Sequence, residues 1–142
     1  MKKIILPALL VMFSCGAAIA QCDKKFVLTS SKTDYLDSSG TIQRSEDEVS
    51  TIELNDSVLT IVPGNAERTM SGPVKLNECN WKVPYKEGKT VVKASLSNQN
   101  GEPRDILITI EGKDGVITLL AILNNDQNRR VKLKADSFQE KK

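Results

Sequence analysis

The chain has 142 residues, enough for one compact domain and short for two. It contains no histidine, which excludes Ser-His-Asp and Cys-His nucleophile systems, His-ligated zinc and any imidazole acid–base role. The formal charge is +2, but Lys2 and Lys3 lie in an apparent leader; the remaining 142 − 20 = 122 residues carry 18 basic and 18 acidic side chains, not the basic surface a general nucleic-acid binder needs.

Residues 1–20 have the three parts of a secretory signal. Met1-Lys2-Lys3 is the cationic start, residues 4–13 form an apolar run, and Ala18-Ile19-Ala20 puts small residues where a signal peptidase reads. Cleavage is expected between Ala20 and Gln21, leaving one domain over 21–142 that is periplasmic or secreted. The apolar run is too short to span a membrane, which takes about 20 residues. A second processing route is open: Met12-Phe13-Ser14-Cys15-Gly16 is a degenerate lipobox, and lipidation of Cys15 would anchor the protein to a membrane.

After cleavage two cysteines remain, Cys22 and Cys79. In an exported chain they read as one structural disulfide. Closing a loop of 79 − 22 = 57 positions stabilises a fold by about 4 kcal/mol in the chain-entropy model. No Cys-x-x-Cys and no histidine accompany them, so neither a redox pair nor a metal site is indicated.

The rest of the chain is a series of strand-like runs punctuated by turns every 8 to 12 residues. Residues 25–30 open it with Phe26 and Leu28 on one face, and a polar stretch, 31–40, follows. Residues 41–44 form a short strand or part of a lid. The runs 49–54 and 57–62 flank a tight turn at Asn55-Asp56. Residues 68–76 are interrupted by Gly72-Pro73, which marks a bulge or an edge, and 78–84 carry Cys79 and Trp81.

Residues 90–96 alternate cleanly, with Val92, Ala94 and Leu96 against Lys93 and Ser95, the pattern of a half-buried antiparallel strand. Asn100-Gly101 signals a hairpin, and Ile106, Ile108 and Ile110 share the next inward face. Residues 116–123 are apolar on both faces. They are either a central strand between two layers or a strand whose outer residues, Val116, Leu120 and Ile122, are covered by a second subunit. Val131, Leu133 and Ala135 form the last strand, with Arg130, Lys132 and Lys134 on its outer face as a docking patch or a guard against edge pairing.

The expected fold is therefore all-β: an antiparallel meander of eight or nine strands, forming a barrel or a closely related sandwich. The acidic run Glu46-Asp47-Glu48 lacks the Asp-x-Asp-x-Asp-Gly spacing of a Ca²⁺ loop and reads as a solvated approach to a strand. No carboxylate pair stands out for glycosidase chemistry. No catalytic residue, metal site or cofactor is expected.

The strand 25–30, the Asp37-Ser38-Ser39-Gly40 turn and the closing Lys132-Leu133-Lys134-Ala135-Asp136 resemble the small exported lipocalin-like (calycin-type) domains of bacteria. Phe26 stands where that family has the Trp of its Gly-x-Trp signature. The resemblance implies a β-barrel with an apolar ligand in its mouth. On that reading the protein is a non-enzymatic carrier, with Trp81, Met70 and Ile108 as the residues expected around the ligand. The alternative is a cell-envelope protein-interaction module with a filled core and no small-molecule ligand, which uses the 116–123 face, as in a homodimer through that strand, or the basic hairpin.

Overall fold

The computed structural model describes residues 25–98, 101–126 and 128–141. Residues 1–24, which include the expected leader, Cys15 and Cys22, lie outside the described residues. In chain order the strands are β1 (Lys25–Ser30), β2 (Thr33–Leu36), β3 (Ile42–Glu46), β4 (Ser50–Asn55), β5 (Val58–Pro63), β6 (Met70–Val83), β7 (Glu87–Ser97), β8 (Pro103–Lys113), β9 (Val116–Leu123), β10 (Arg130–Lys134) and β11 (Ser137–Glu140). A 3-10 turn, Ala66–Arg68, joins β5 to β6 and is the one helical segment among the described residues.

All pairings are antiparallel, and the strands form one sheet in the order β11-β1-β4-β5-β6-β7-β8-β9-β10-β2-β3. From β4 to β10 the chain simply meanders, each strand beside the next. The sheet is open at β11 and β3, but the chain itself draws its ends together. β1 and β2 are two stretches of one strand broken at Ser31-Lys32, and β10 and β11 are broken likewise at Ala135-Asp136. Paired positions in both stretches sum to 166: 26 + 140, 33 + 133, 36 + 130. One register thus runs through a shared corner. On one side of it β1 pairs with β4, and on the other β10 pairs with β9, so the sheet curls into a barrel-like wrap.

Ser30 holds that corner. Its buried hydroxyl lies 2.8 Å from the Lys134 carbonyl and 2.9 Å from that of Lys32. The Asp136 amide donates to the Thr29 carbonyl at 2.7 Å, and that of Ala135 to Ile117 at 2.9 Å. Backbone groups that leave the ladder at a bend are costly unless satisfied in this way.

Period-2 alternation explains which side chains fill the interior. Leu28, Ile52, Leu54, Leu59, Val92 and Ile108 are among those with essentially no exposure. Each such aliphatic side chain contributes roughly 1.5–3 kcal/mol through burial.

The strand count is 11 rather than eight or nine, for local reasons. The polar stretch 31–40 contains β2, whose Thr33 and Leu36 are buried. Residues 41–44 belong to β3, which pairs only with β2 and is exposed along its whole length. The runs 68–76 and 78–84 are one strand, β6. Gly72 and Pro73 have no partner in β7, and Pro73 ends the pairing with β5, where a missing N–H is least costly. The hairpin loop is Asp56-Ser57, since Asn55 still pairs with Val58 and Asp56 takes the positive φ of 56°. The last predicted strand is followed by β11, where Phe138 is the lone apolar residue.

Candidate ligand cavity

The two ends of the interior are built differently. Along β1 and β4 the pairs Phe26–Leu54, Leu28–Ile52 and Ser30–Ser50 step from one end to the other. At the Phe26 end the interior is plugged by aromatic rings. Phe138 sits at the centre, with Phe26 at 5.4 Å, Trp81 at 5.7 Å and Tyr85 at 4.8 Å between centroids. Edge-on and tilted contacts of this kind add to the burial of the rings.

The Trp81 Nε1–H donates to the buried Thr90 Oγ1 at 2.6 Å. Gly88 and Gly112 leave the space its indole fills: a Cβ on Gly112 would stand 2.8 Å from Trp81 Cζ3 and 2.7 Å from the Lys86 carbonyl.

At the Ser50 end the interior is hollow. A cavity of about 140 Å³ opens there, walled by aliphatic side chains including Ile52, Ile61, Ile108, Leu119, Leu123 and Leu133. Ala121 and Met70 complete the wall, the first leaving space by its small size and the second standing near the mouth. A wider, more polar hollow of about 350 Å³ adjoins it, sharing Pro63, Arg68, Met70 and Leu123. The two hollows meet at these four residues, beside the 3-10 turn.

Few polar groups meet this cavity, and they lie in two places. At the rim the Tyr35 hydroxyl donates to Glu48 Oε1 at 3.0 Å, the Arg44 guanidinium lies 4.2 Å over the Tyr35 ring, and Arg68 stands exposed. Burial, and then the adjacent Glu48 carboxylate, pushes the Tyr35 phenol above its ordinary value. Deeper in, two small polar residues are buried, Thr33 and Ser50. Thr33 is 2 % exposed, and its Oγ1 has no hydrogen-bond partner among the described residues.

The residues singled out in the sequence are thus divided. Met70 and Ile108 line the cavity; Trp81 does not, and belongs to the aromatic plug at the far end. Thr33, Tyr35, Glu48 and Arg68 were not anticipated. Thr33 and Tyr35 sit in a stretch whose Ser and Asp content reads as a connection, and Glu48 is the half-buried end of an acidic run otherwise in solvent.

Val116, Leu120 and Ile122 do share one outward face of β9, with Val116 46 % exposed and the other two half-buried. No second layer covers them among the described residues. Lys132 stands beside Leu120, and Arg130 beside Ile122. Lys132 and Lys134 are exposed, whereas the Arg130 guanidinium turns back to the turn before β3, donating to the carbonyls of Asp37 at 3.0 Å and Ser38 at 2.6 Å. Cys79 lies half-buried on β6 opposite Thr90.

Chemically, the cavity can desolvate an apolar molecule and offer it a hydroxyl. No cluster of three or more metal-ligating side chains occurs among the described residues. No family model matches the sequence, and a comparison with curated proteins finds no match.

Proposed function

We propose that this protein is a non-enzymatic, exported carrier that holds one small apolar molecule in the cavity at the Ser50 end of its barrel-like sheet. The observation that carries this reading is an aliphatic hollow of about 140 Å³ joined to a vestibule. Apolar cavities near 150 Å³ stay dry and take up molecules such as benzene. The cavity falls below the ~300 Å³ at which drug-sized sites begin, so the cargo is small, in the range of a single ring or a short aliphatic chain. The leader in 1–20 supports a location outside the cytoplasm, where a Cys22–Cys79 bond would pin the start of the domain to β6. An intact mass two hydrogens lighter than the dithiol form checks that bond.

The test is calorimetric titration of the protein with toluene. Binding with one-to-one stoichiometry in the wild type, lost in Ala121→Leu with thermal stability kept, supports the carrier. A folded wild-type protein that binds neither toluene nor phenol removes it.

One observation favours a second reading, an interaction module of the cell envelope that pairs with another copy of itself. The outer side of β9 carries Leu120 and Ile122, with Leu107 of β8 opposite Ile122, and apolar surface of this kind gains from being covered. A sedimentation mass of twice the monomer, falling to one in a folded Leu120→Lys variant, supports this reading. A monomeric wild type ends it.

A further inference from the structure

A buried hydroxyl without a partner forfeits the hydrogen bonds it made with water, so a site that keeps one is offering it to something. Thr33 Oγ1 is such a group. It belongs to a residue that lines the cavity, is 2 % exposed, and finds no partner among the described residues. Most of the wall around it is aliphatic, and Ser50, the other buried hydroxyl residue of the cavity, makes no hydrogen bond to it. The charged groups of the site stand at the rim and are mixed in sign: Glu48 is engaged by Tyr35, Arg44 lies over the Tyr35 ring and pairs with Glu46 at 3.4 Å, and Arg68 is exposed. The mouth therefore favours neither an anion nor a cation. Within the cavity, an ionic head would lose its hydration without a countercharge.

We infer that the cargo is a neutral molecule with a single hydroxyl or carbonyl, and that Thr33 is the residue that reads this group. The inference rests on the carrier reading and adds the chemical class of its ligand. The hydroxyl can donate to a carbonyl or accept from an alcohol or phenol, while the rest of the molecule lies against Ile108, Leu119 and Ala121. A pure hydrocarbon of the same size leaves Thr33 unsatisfied. Discrimination of this kind comes from the unpaired polar group rather than from shape.

Toluene and phenol test it, because they share a shape and differ by a methyl against a hydroxyl. Titrations of both probes into the wild type, Thr33→Val and Thr33→Ser give three affinity ratios. Thr33→Val, which keeps the shape and deletes the hydroxyl, is expected to weaken phenol relative to toluene by about tenfold or more. Thr33→Ser is expected to hold the wild-type ratio.

A ratio that stays within about threefold in Thr33→Val overturns the inference while leaving the carrier intact, and points to a bound water as the partner of Thr33. No binding of either probe to the folded wild type overturns the carrier reading and this inference together. Should Thr33→Val fail to fold, the wild type still decides: intermolecular NOEs are expected between the Thr33 methyl and the ortho protons of phenol. NOEs from the para proton alone would place the hydroxyl at the wrong end.

Discussion

The hydroxyl of Ser30 reaches the carbonyl of Lys134 at 2.8 Å across 104 positions of sequence, and it does so at the bend where the first and last parts of the sheet change direction together. The same oxygen lies 2.9 Å from the Lys32 carbonyl. Ser30→Ala removes the single hydroxyl proton that these two carbonyls share at a part-buried corner. The expected cost is about 1–3 kcal/mol, read as a lower urea midpoint with an unchanged slope. A midpoint equal to the wild type would show that the backbone bonds of Asp136 and Ala135 hold the corner unaided.

The aromatic end depends on Gly112. Two of the contacts a Cβ would make there are with the Lys86 carbonyl and the Trp81 ring, at 2.7 and 2.8 Å, and a backbone carbonyl cannot turn aside as a side chain can. Gly112→Ala is expected to destabilise by about 1–3 kcal/mol, as overpacking commonly does. It should also shift the emission of Trp81, the chain's one tryptophan. Loss of stability with unchanged emission would place the strain elsewhere.

Alkaline pH should loosen the mouth of the cavity. The Tyr35 phenol is raised above 10.0 in the folded protein by burial, and then by Glu48, so the folded state holds this proton more tightly than the unfolded chain does. The associated stability is fully present below about pH 10 and is lost as pH rises through the folded value. Tyr35→Phe removes this alkaline decline and the hydrogen bond to Glu48 as well. Denaturation midpoints of both proteins between pH 8 and pH 11 are the check, and parallel profiles would refute the assignment.

Arg130 ties β10 to the turn that leads into β3. Its Nη2 donates to two carbonyls, those of Asp37 and Ser38, from a planar, weakly hydrated group whose place the strongly hydrated ammonium of lysine fills poorly. Arg130→Lys is expected to cost about 1 kcal/mol, given the partial exposure of the site. Amide exchange in Ile42–Glu46 should speed up, with the interior strands unaffected. Uniform acceleration across the sheet would mean that β3 does not open on its own.

How far the sequence discloses this fold depends on how many neighbours decide each residue. β7 and β8 alternate because one face of each meets the interior, and Ile106, Ile108 and Ile110 are legible from spacing alone, whereas β9 is apolar on both faces and its inward side is read only from its partners. β2 and β11 are not. Each has four residues and sits at the corner, where pairing with a partner about a hundred positions away, rather than any pattern of its own, makes it a strand. The same holds for the cavity. Met70 and Ile108 are apolar residues on expected strands, whereas Thr33 matters only because the bend turns it inward. Trp81 is a large ring near a cysteine, and ring size favours the plugged end, where Phe138 is available to pack on it. The hollow end is found where side chains stop short, as at Ala121.

The shared register of β1–β2 with β10–β11 also sets the order in which the molecule can be finished. Strand β1 gains β4 on one side early in synthesis, but its other side waits for β11, which emerges only after β10. Until then the sheet lacks its corner, Ser30 lacks Lys134, and the ring of Phe138 is missing from the plug. A nascent chain of this design can pair its β4–β9 meander but leaves β1 half-paired and its corner open until β11 has emerged. That delay suits a protein proposed to cross a membrane before it folds.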